Sequence, residues 1–355
     1  MEVVMKKIIV ILSLMTVSNS TFCMEKMGLA VQEEEIIHQE PPDLVALENL
    51  LQELSPLAHV DRYFPRGQGL KLSDLNLREN ISADFFRRLA HVLPNLQWLD
   101  VGGNRLETLP ETIGNLGNLQ RLYVGGNALK RLPDTIGNLG NLQVLVVSSN
   151  RLETLPETIG NLGNLRELQV WNNRLERLPD TIGNLGNLQV FYVQYNQLET
   201  LPDTIGNLGN LQKLDVSDNL LETLPETIGN LGNLRELKVG NNRLEILPET
   251  IGNLGNLQRL YVFKNRLETL PETIGNLGNL QVLYVFKNRL ETLPETMGNL
   301  SNLRVLDVSN NRLETLPETM GNLGNLQRLY VLRNPGLRIS AEFLSRLRAG
   351  IEVHR

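Results

Sequence analysis

The amino-acid sequence predicts an α/β solenoid. This is a curved horseshoe of stacked units, with a parallel β-sheet on the concave face, 3₁₀ or short helical turns on the convex face, and a helical cap at each end. Three observations predict it. An asparagine returns every 23 residues, at Asn104, Asn127, Asn150, Asn173, Asn196, Asn219, Asn242, Asn265, Asn288, Asn311 and Asn334. The phrase LETLPETIGNLGN at Leu106 returns unchanged at Leu152, Leu221 and Leu267, with near copies at Leu290 and Leu313. Each unit also switches from a short apolar–polar alternation to Leu-Pro followed by an acidic residue. A fixed period of this kind marks units that cannot bury an apolar face alone and build a core by stacking.

The unit around Asn127 shows the elements. Leu122–Tyr123–Val124 alternates inside and outside, as a strand does. Leu132–Pro133 opens a helical turn at which Pro loses no hydrogen bond, and Asp134 suits its positive end. Gly137 is expected to end that turn. The remaining apolar positions, Leu119, Leu129, Ile136 and Leu139, face the core. Each Leu buried there contributes roughly 1.5–3 kcal/mol. The asparagine stands where the strand turns away. Its amide has donors and an acceptor for backbone groups that the turn leaves unpaired, forming a ladder along the stack.

The stretch LQRLYVGGNALKRLP (Leu119–Pro133) matches the leucine-rich repeat pattern LxxLxLxxNxLxxLP. With the IGNLxxL that follows, the chain resembles the 23-residue class of plant intracellular Ras-group-related, Shoc2-like and bacterial leucine-rich repeat proteins. The resemblance covers roughly residues 70–345. It implies a curved solenoid and does not name a function.

The ends depart from the consensus. ISADFFRRL (Ile81–Leu89) and ISAEFLSRL (Ile339–Leu347) lack the Leu-Pro turn and read as helices with Ser82 and Ser340 as N-caps. Leu44, Leu47, Leu50, Leu51 and Leu54 recur at helical spacing after PPD, giving a further cap helix. Asn80 begins the asparagine series one step early. The expected organisation is a signal peptide at 1–20, with 23 as its other end point, and an N-terminal segment with the cap helix at 21–69. A capping repeat follows at 70–94, then ten repeats at 95–324 and a C-terminal capping repeat at 325–355. The signal reading rests on Lys6 and Lys7, the apolar run Ile8–Val17, and Ser18 and Ser20 at cleavage spacing. Phe22 before Cys23 does not fit a lipoprotein anchor. No later stretch is long and apolar enough to span a bilayer.

Composition narrows the function. The formal net charge of -6 speaks against a general nucleic-acid binder. The single cysteine allows no disulfide within the chain. His38, His59, His91 and His354 are scattered and show no metal-ligand spacing. The acidic column from Glu111 to Glu318 supplies one carboxylate per unit, where a calcium site needs several converging. No cofactor is expected. Phosphate-loop and nucleophile-elbow motifs are missing, and no cysteine follows Cys23 to serve as the nucleophile that some bacterial repeat proteins carry after their repeats. The chain is therefore read as non-catalytic.

The repeats differ where the strands face outward. Four residues before the asparagine the column runs Asp100, Tyr123, Val146, Gln169, Tyr192, Asp215, Lys238, Tyr261, Tyr284, Asp307, Tyr330, whereas Thr112 and its counterparts on the convex turn never change. If both faces were free to drift, both would vary, so the contrast points to use of the concave face. Trp98, Tyr123, Trp171, Tyr192, Tyr195, Tyr261, Phe263, Tyr284, Phe286 and Tyr330 all fall in its outward columns. Large apolar groups gathered on a surface mark a partner site. Two groups are expected: Trp171, Tyr192 and Tyr195, and then Tyr261, Phe263, Tyr284 and Phe286 among Arg259, Lys264, Lys287, Arg328 and Arg333. The second favours a protein with acidic and apolar contact groups. Thr273, on the convex turn, is expected to tolerate alanine. The reading is an exported protein that binds another protein through its concave face. Two others stay open: an intracellular scaffold regulating small GTPases, as the resemblance implies, and an adhesive or structural surface protein. The oligomeric state is not legible.

Overall fold

The computed structural model describes residues 43–55, 63–64, 68–77, 81–346 and 350–355. The signal region, Cys23, His38, His59 and Asn80 lie outside the described residues. Helix α1 (Leu44–Leu54) starts at Asp43, whose carboxylate accepts from Ala46 N at 2.9 Å. Strands β1 (Tyr63–Phe64) and β2 (Gly69–Lys71) pair antiparallel, and α2 (Ala83–Val92) is capped by Ser82. Eleven three-residue strands, β3–β13, run at 23-residue steps from Trp98–Asp100 to Arg328–Tyr330. The chain closes with α3 (Ala341–Arg346) and β14 (Glu352–His354). The sheet follows chain order, and every pairing after the first is parallel. The repeat, both serine-capped helices and α1 follow the sequence expectation. Strand β2 lies at the start of the span read as a capping repeat, with Leu70 and Leu72 buried like Leu99 and Val101, whereas β1 and β14 carry no repeat signature and were not expected.

The core is a column of leucines. Leu119, Leu122, Val124, Leu129, Leu132, Ile136 and Leu139 are all buried, and each later unit repeats them. Phe191 takes the place of a core leucine at 0% exposure. Three further ladders join the units. In the first, Asn219 Oδ1 accepts from Leu198 N in the unit before, and Nδ2 donates to the carbonyls of Val193, Val216 and Ser217. The ladder thus bonds side chain to backbone, both within the unit and one unit back, and at its start the backbone N–H of Asn104 donates to Asn127 Oδ1.

The convex face carries the other two ladders. Thr135 Oγ1 donates to Glu111 O at 2.6 Å, and the same bond recurs up to Thr319 on Glu295 O. Asn141 Nδ2 donates to Gly117 O at 2.9 Å, and so on to Asn325 on Ser301 O. Each turn from the acidic residue to asparagine is 3₁₀, with the proline before it accepting the first bond, as Ile136 N to Pro133 O. Gly137 does not end the turn. It lies inside it, where a Cβ would stand 2.5 Å from Thr158 O of the next unit. Close approach between turns, not helix termination, requires this glycine.

These bonds correct two expectations. The convex columns are constant because they hold the stack together, so their constancy is no measure of drift. Thr273 is not indifferent either: its Oγ1 donates to Glu249 O at 2.6 Å.

Candidate functional site: the concave face

Between the strands the inter-repeat bonds are made by backbone. Lys264 N donates to Phe286 O and Val262 N to Tyr284 O, so the outward side chains are free of that duty. The residue before each ladder asparagine then turns the chain with positive φ. Some outward side chains bond the backbone two residues on. Asp100, Asp215 and Asp307 each accept from the backbone N–H two residues on, at Gly102, Ser217 and Ser309. Part of the concave variation is therefore local turn chemistry.

The structure brings together the second aromatic group. The rings of Phe263 and Phe286 stack at 4.9 Å with planes 2° apart. Tyr261 and Tyr284 meet edge to face at 5.3 Å, and Tyr284 lies 6.2 Å from Phe286. Such pairs contribute about 0.5–1.5 kcal/mol beyond their buried area. Their floor includes Gly240, where a Cβ would stand 2.6 Å from the Phe263 ring. The sequence reading missed Gly240. Its signal was a glycine one repeat before Phe263 in the same column.

The first group is not brought together. Trp171 Nε1 donates to Gln169 Oε1 at 3.2 Å. Tyr195 is 56% exposed at φ 57. Tyr192 faces a cluster of charges instead, and among the described residues no ring contact joins these three. The end aromatics meet terminal strands. Trp98 overlies Gly69 of β2 and meets Tyr123 at 6.1 Å, and Tyr330 stacks on His354 of β14 at 4.4 Å.

The charge cluster also escaped the sequence reading. Glu236 lies 2.7 Å from Arg259 and 3.0 Å from Lys238, and Lys238 lies 3.6 Å from the buried Asp215. Burial works to raise the Glu236 carboxyl, but the bonds from Arg259 and Lys238 outweigh it and hold it below its ordinary value. Lys238 is raised: burial opposes its charge, while its bond to Glu236 and the charge of Asp215 favour it more strongly. Burial raises the phenols of Tyr192 and Tyr261. Lys238 Nζ sits 5.8 Å from the Tyr261 ring centre. Arg259, expected among the free cations of the patch, is therefore already neutralised. Lys264, Lys287 and Arg333 are exposed with no carboxylate within 4.0 Å among the described residues, and Arg328 is likewise exposed.

No group of residues suited to a metal ion occurs among the described residues. No described helix is long and apolar enough to cross a membrane. The sequence matches the leucine-rich repeat region family over residues 68–174, 145–219 and 164–245, and a second leucine rich repeat family over 278–335. The chain is a leucine-rich repeat protein. No curated protein sequence matches it significantly. Among solved structures it is similar to a TDR receptor, at 29% identity and TM-score 0.62, covering 71% of this chain and 44% of that one. It is similar to the PEPR1–AtPEP1 crystal structure, at 29% identity and TM-score 0.59, covering 74% and 41%. This leucine-rich repeat protein thus spans less than half the length of either. An internalin, InlF of Listeria monocytogenes, shares the fold at 22% identity and TM-score 0.60, covering 88% and 95%.

Proposed function

We propose that this leucine-rich repeat protein is an exported, non-catalytic binding protein that holds another protein against its concave face. The observation that carries the reading is the four-ring platform of Tyr261, Phe263, Tyr284 and Phe286. It is built on adjacent strands, it is accessible to solvent, and the core does not need it. Rigid aromatics of this kind anchor protein interfaces at small entropic cost. The PEPR1–AtPEP1 complex, of the same architecture, supports the reading by analogy. Export rests on Lys6, Lys7, the apolar run and Ser18–Ser20. N-terminal sequencing of secreted material should begin near Thr21 or Met24, and an intact Met1 there would overturn it.

The platform is tested with Phe263→Ala combined with Phe286→Ala. Loss of one hot-spot aromatic typically costs about 2 kcal/mol or more, so proteins captured by the wild type should bind the double variant more than tenfold more weakly, at unchanged folding. Gly255→Ala, on the convex side with nothing within 4 Å of the new Cβ, is the control. Partner loss in the control and retention in the double variant would place the working face on the other side.

A further inference from the structure

Resting on that reading of the concave face, we infer that the partner docks an amphipathic segment with its acidic edge on one defined rim of the platform. Six cations line that rim, all exposed. Lys264, Lys287 and Arg333 stand just before the ladder asparagine of their units, and Arg266, Arg289 and Arg312 just after. Among the described residues none has a carboxylate within 4.0 Å, whereas on the other side of the platform Arg259 and Lys238 are satisfied by Glu236 and Asp215. Arg235, Arg304 and Arg328 of neighbouring units stay exposed on that other side, but within the two platform units the open positive charge lies along this edge, because Arg259 opposite it is paired. Units about 4.8 Å apart keep these like charges close, and that repulsion is relieved when an anion is bound.

The backbone supplies an independent argument. Lys264, Lys287 and Arg333 have φ of 52, 56 and 57. Six other units place Gly, Asn or Asp at this left-handed position: Gly103, Gly126, Asn172, Asp218, Asn241 and Asn310. Those types adopt it readily, and long side chains do so at a cost. Asn241 and Asn310 directly flank the lysine pair, so the fold accepts asparagine there. Ser149 and Tyr195 take the same conformation in two further units, so the fold does not dictate the residue there, and what sets the two lysines apart is their place beside the ring platform.

The width of the band chooses the partner. Glu268, Glu291 and Glu314 follow two residues after the arginines, all exposed, and bound the cations on the far side. A long polyanion such as single-stranded nucleic acid would overlap these carboxylates. A segment with a narrow acidic edge about 14 Å long, three unit spacings, and an apolar face for the rings meets cations and platform together.

The experiment uses the full chain and four probes: a synthetic peptide alternating Glu with Phe and Leu, its Lys-for-Glu counterpart, oligoglutamate, and single-stranded oligothymidine. Binding is titrated against salt for the wild type, for Lys264→Asn with Lys287→Asn, and for Phe263→Ala with Phe286→Ala. The Glu/Phe/Leu peptide should bind best. The asparagine pair should weaken it tenfold or more and flatten its salt dependence, while the unfolding midpoint stays level or rises as backbone strain and repulsion are relieved. A lowered midpoint would make the lysines structural and sink the inference, as would unchanged peptide binding, failure of the peptide to bind the wild type, or tighter binding of oligothymidine. If only the phenylalanine pair abolishes binding, the platform reading survives and the rim fails. If neither pair matters, the concave reading fails with it.

Discussion

The convex turns and the concave strands join each repeat to its neighbour with different atoms. On the concave face backbone amides and carbonyls form the ladder, as Val193 N to Asp215 O, and any side chain is compatible with it. On the convex face and at the asparagine turn the joining atoms belong to side chains: Thr227 Oγ1 on Asp203 O, Asn233 Nδ2 on Gly209 O, Asn219 on Val193 and Leu198. A letter can change only where it carries no inter-repeat bond. The thirteen-letter phrase is repeated because nearly every position in it bonds to or packs against the unit before or after. The contrast teaches caution as well. Concave variation alone is what this division of labour would produce without any partner, and what marks a partner site is the ring platform that the concave side chains build.

The largest effect expected from breaking the comparison is at the asparagine. Asn219→Ala removes one acceptor and a donor shared among three carbonyls at a site 6% exposed. Buried groups left without partners cost about 1–3 kcal/mol each, so a loss of about 3 kcal/mol is expected, read from the urea unfolding midpoint. A midpoint equal to the wild type's would mean that the ladder does not hold the stack.

Next come the two glycines of one turn. At Gly206 a Cβ would stand 2.5 Å from Thr227 O, and at Gly209 nothing lies within 4 Å. Overpacking against backbone costs about 1–3 kcal/mol. Gly206→Ala should therefore destabilise by about 2 kcal/mol and Gly209→Ala hardly at all. Equal effects at the two sites would remove close approach as the reason for the first glycine.

The smallest effect is at the threonine column. Thr273→Ala loses one half-exposed hydrogen bond to Glu249 O, worth about 1 kcal/mol. Thermal unfolding of this variant beside the phenylalanine pair sharpens the contrast between faces. The convex change should lower the midpoint without touching binding, and the concave pair should do the reverse.

Much of this was legible in the letters. The 23-residue asparagine step gave the register, the alternation around Leu122 gave the strand, and Leu-Pro-acid gave the turn, because one short unit repeated many times turns a weak local signal into a periodic one. The serine-capped ends stood out against that period. The aromatic platform was legible too, since outward columns on neighbouring parallel strands have to lie side by side.

What only the tertiary structure decided was which atoms meet between units. Sequence periodicity places Thr273 on the convex turn, but whether its hydroxyl reaches solvent or Glu249 O depends on how tightly the turns stack. It places Trp171, Tyr192 and Tyr195 in outward columns, yet the direction each ring leans separates them, while Phe263 settles over Gly240 and draws Phe286 onto itself. It counts Arg259 among the cations, and only packing shows that Glu236 has already taken its charge. A repeating sequence specifies the column and the face, because those follow from backbone geometry. The rotamer and the partner of each side chain follow from its neighbours in three dimensions.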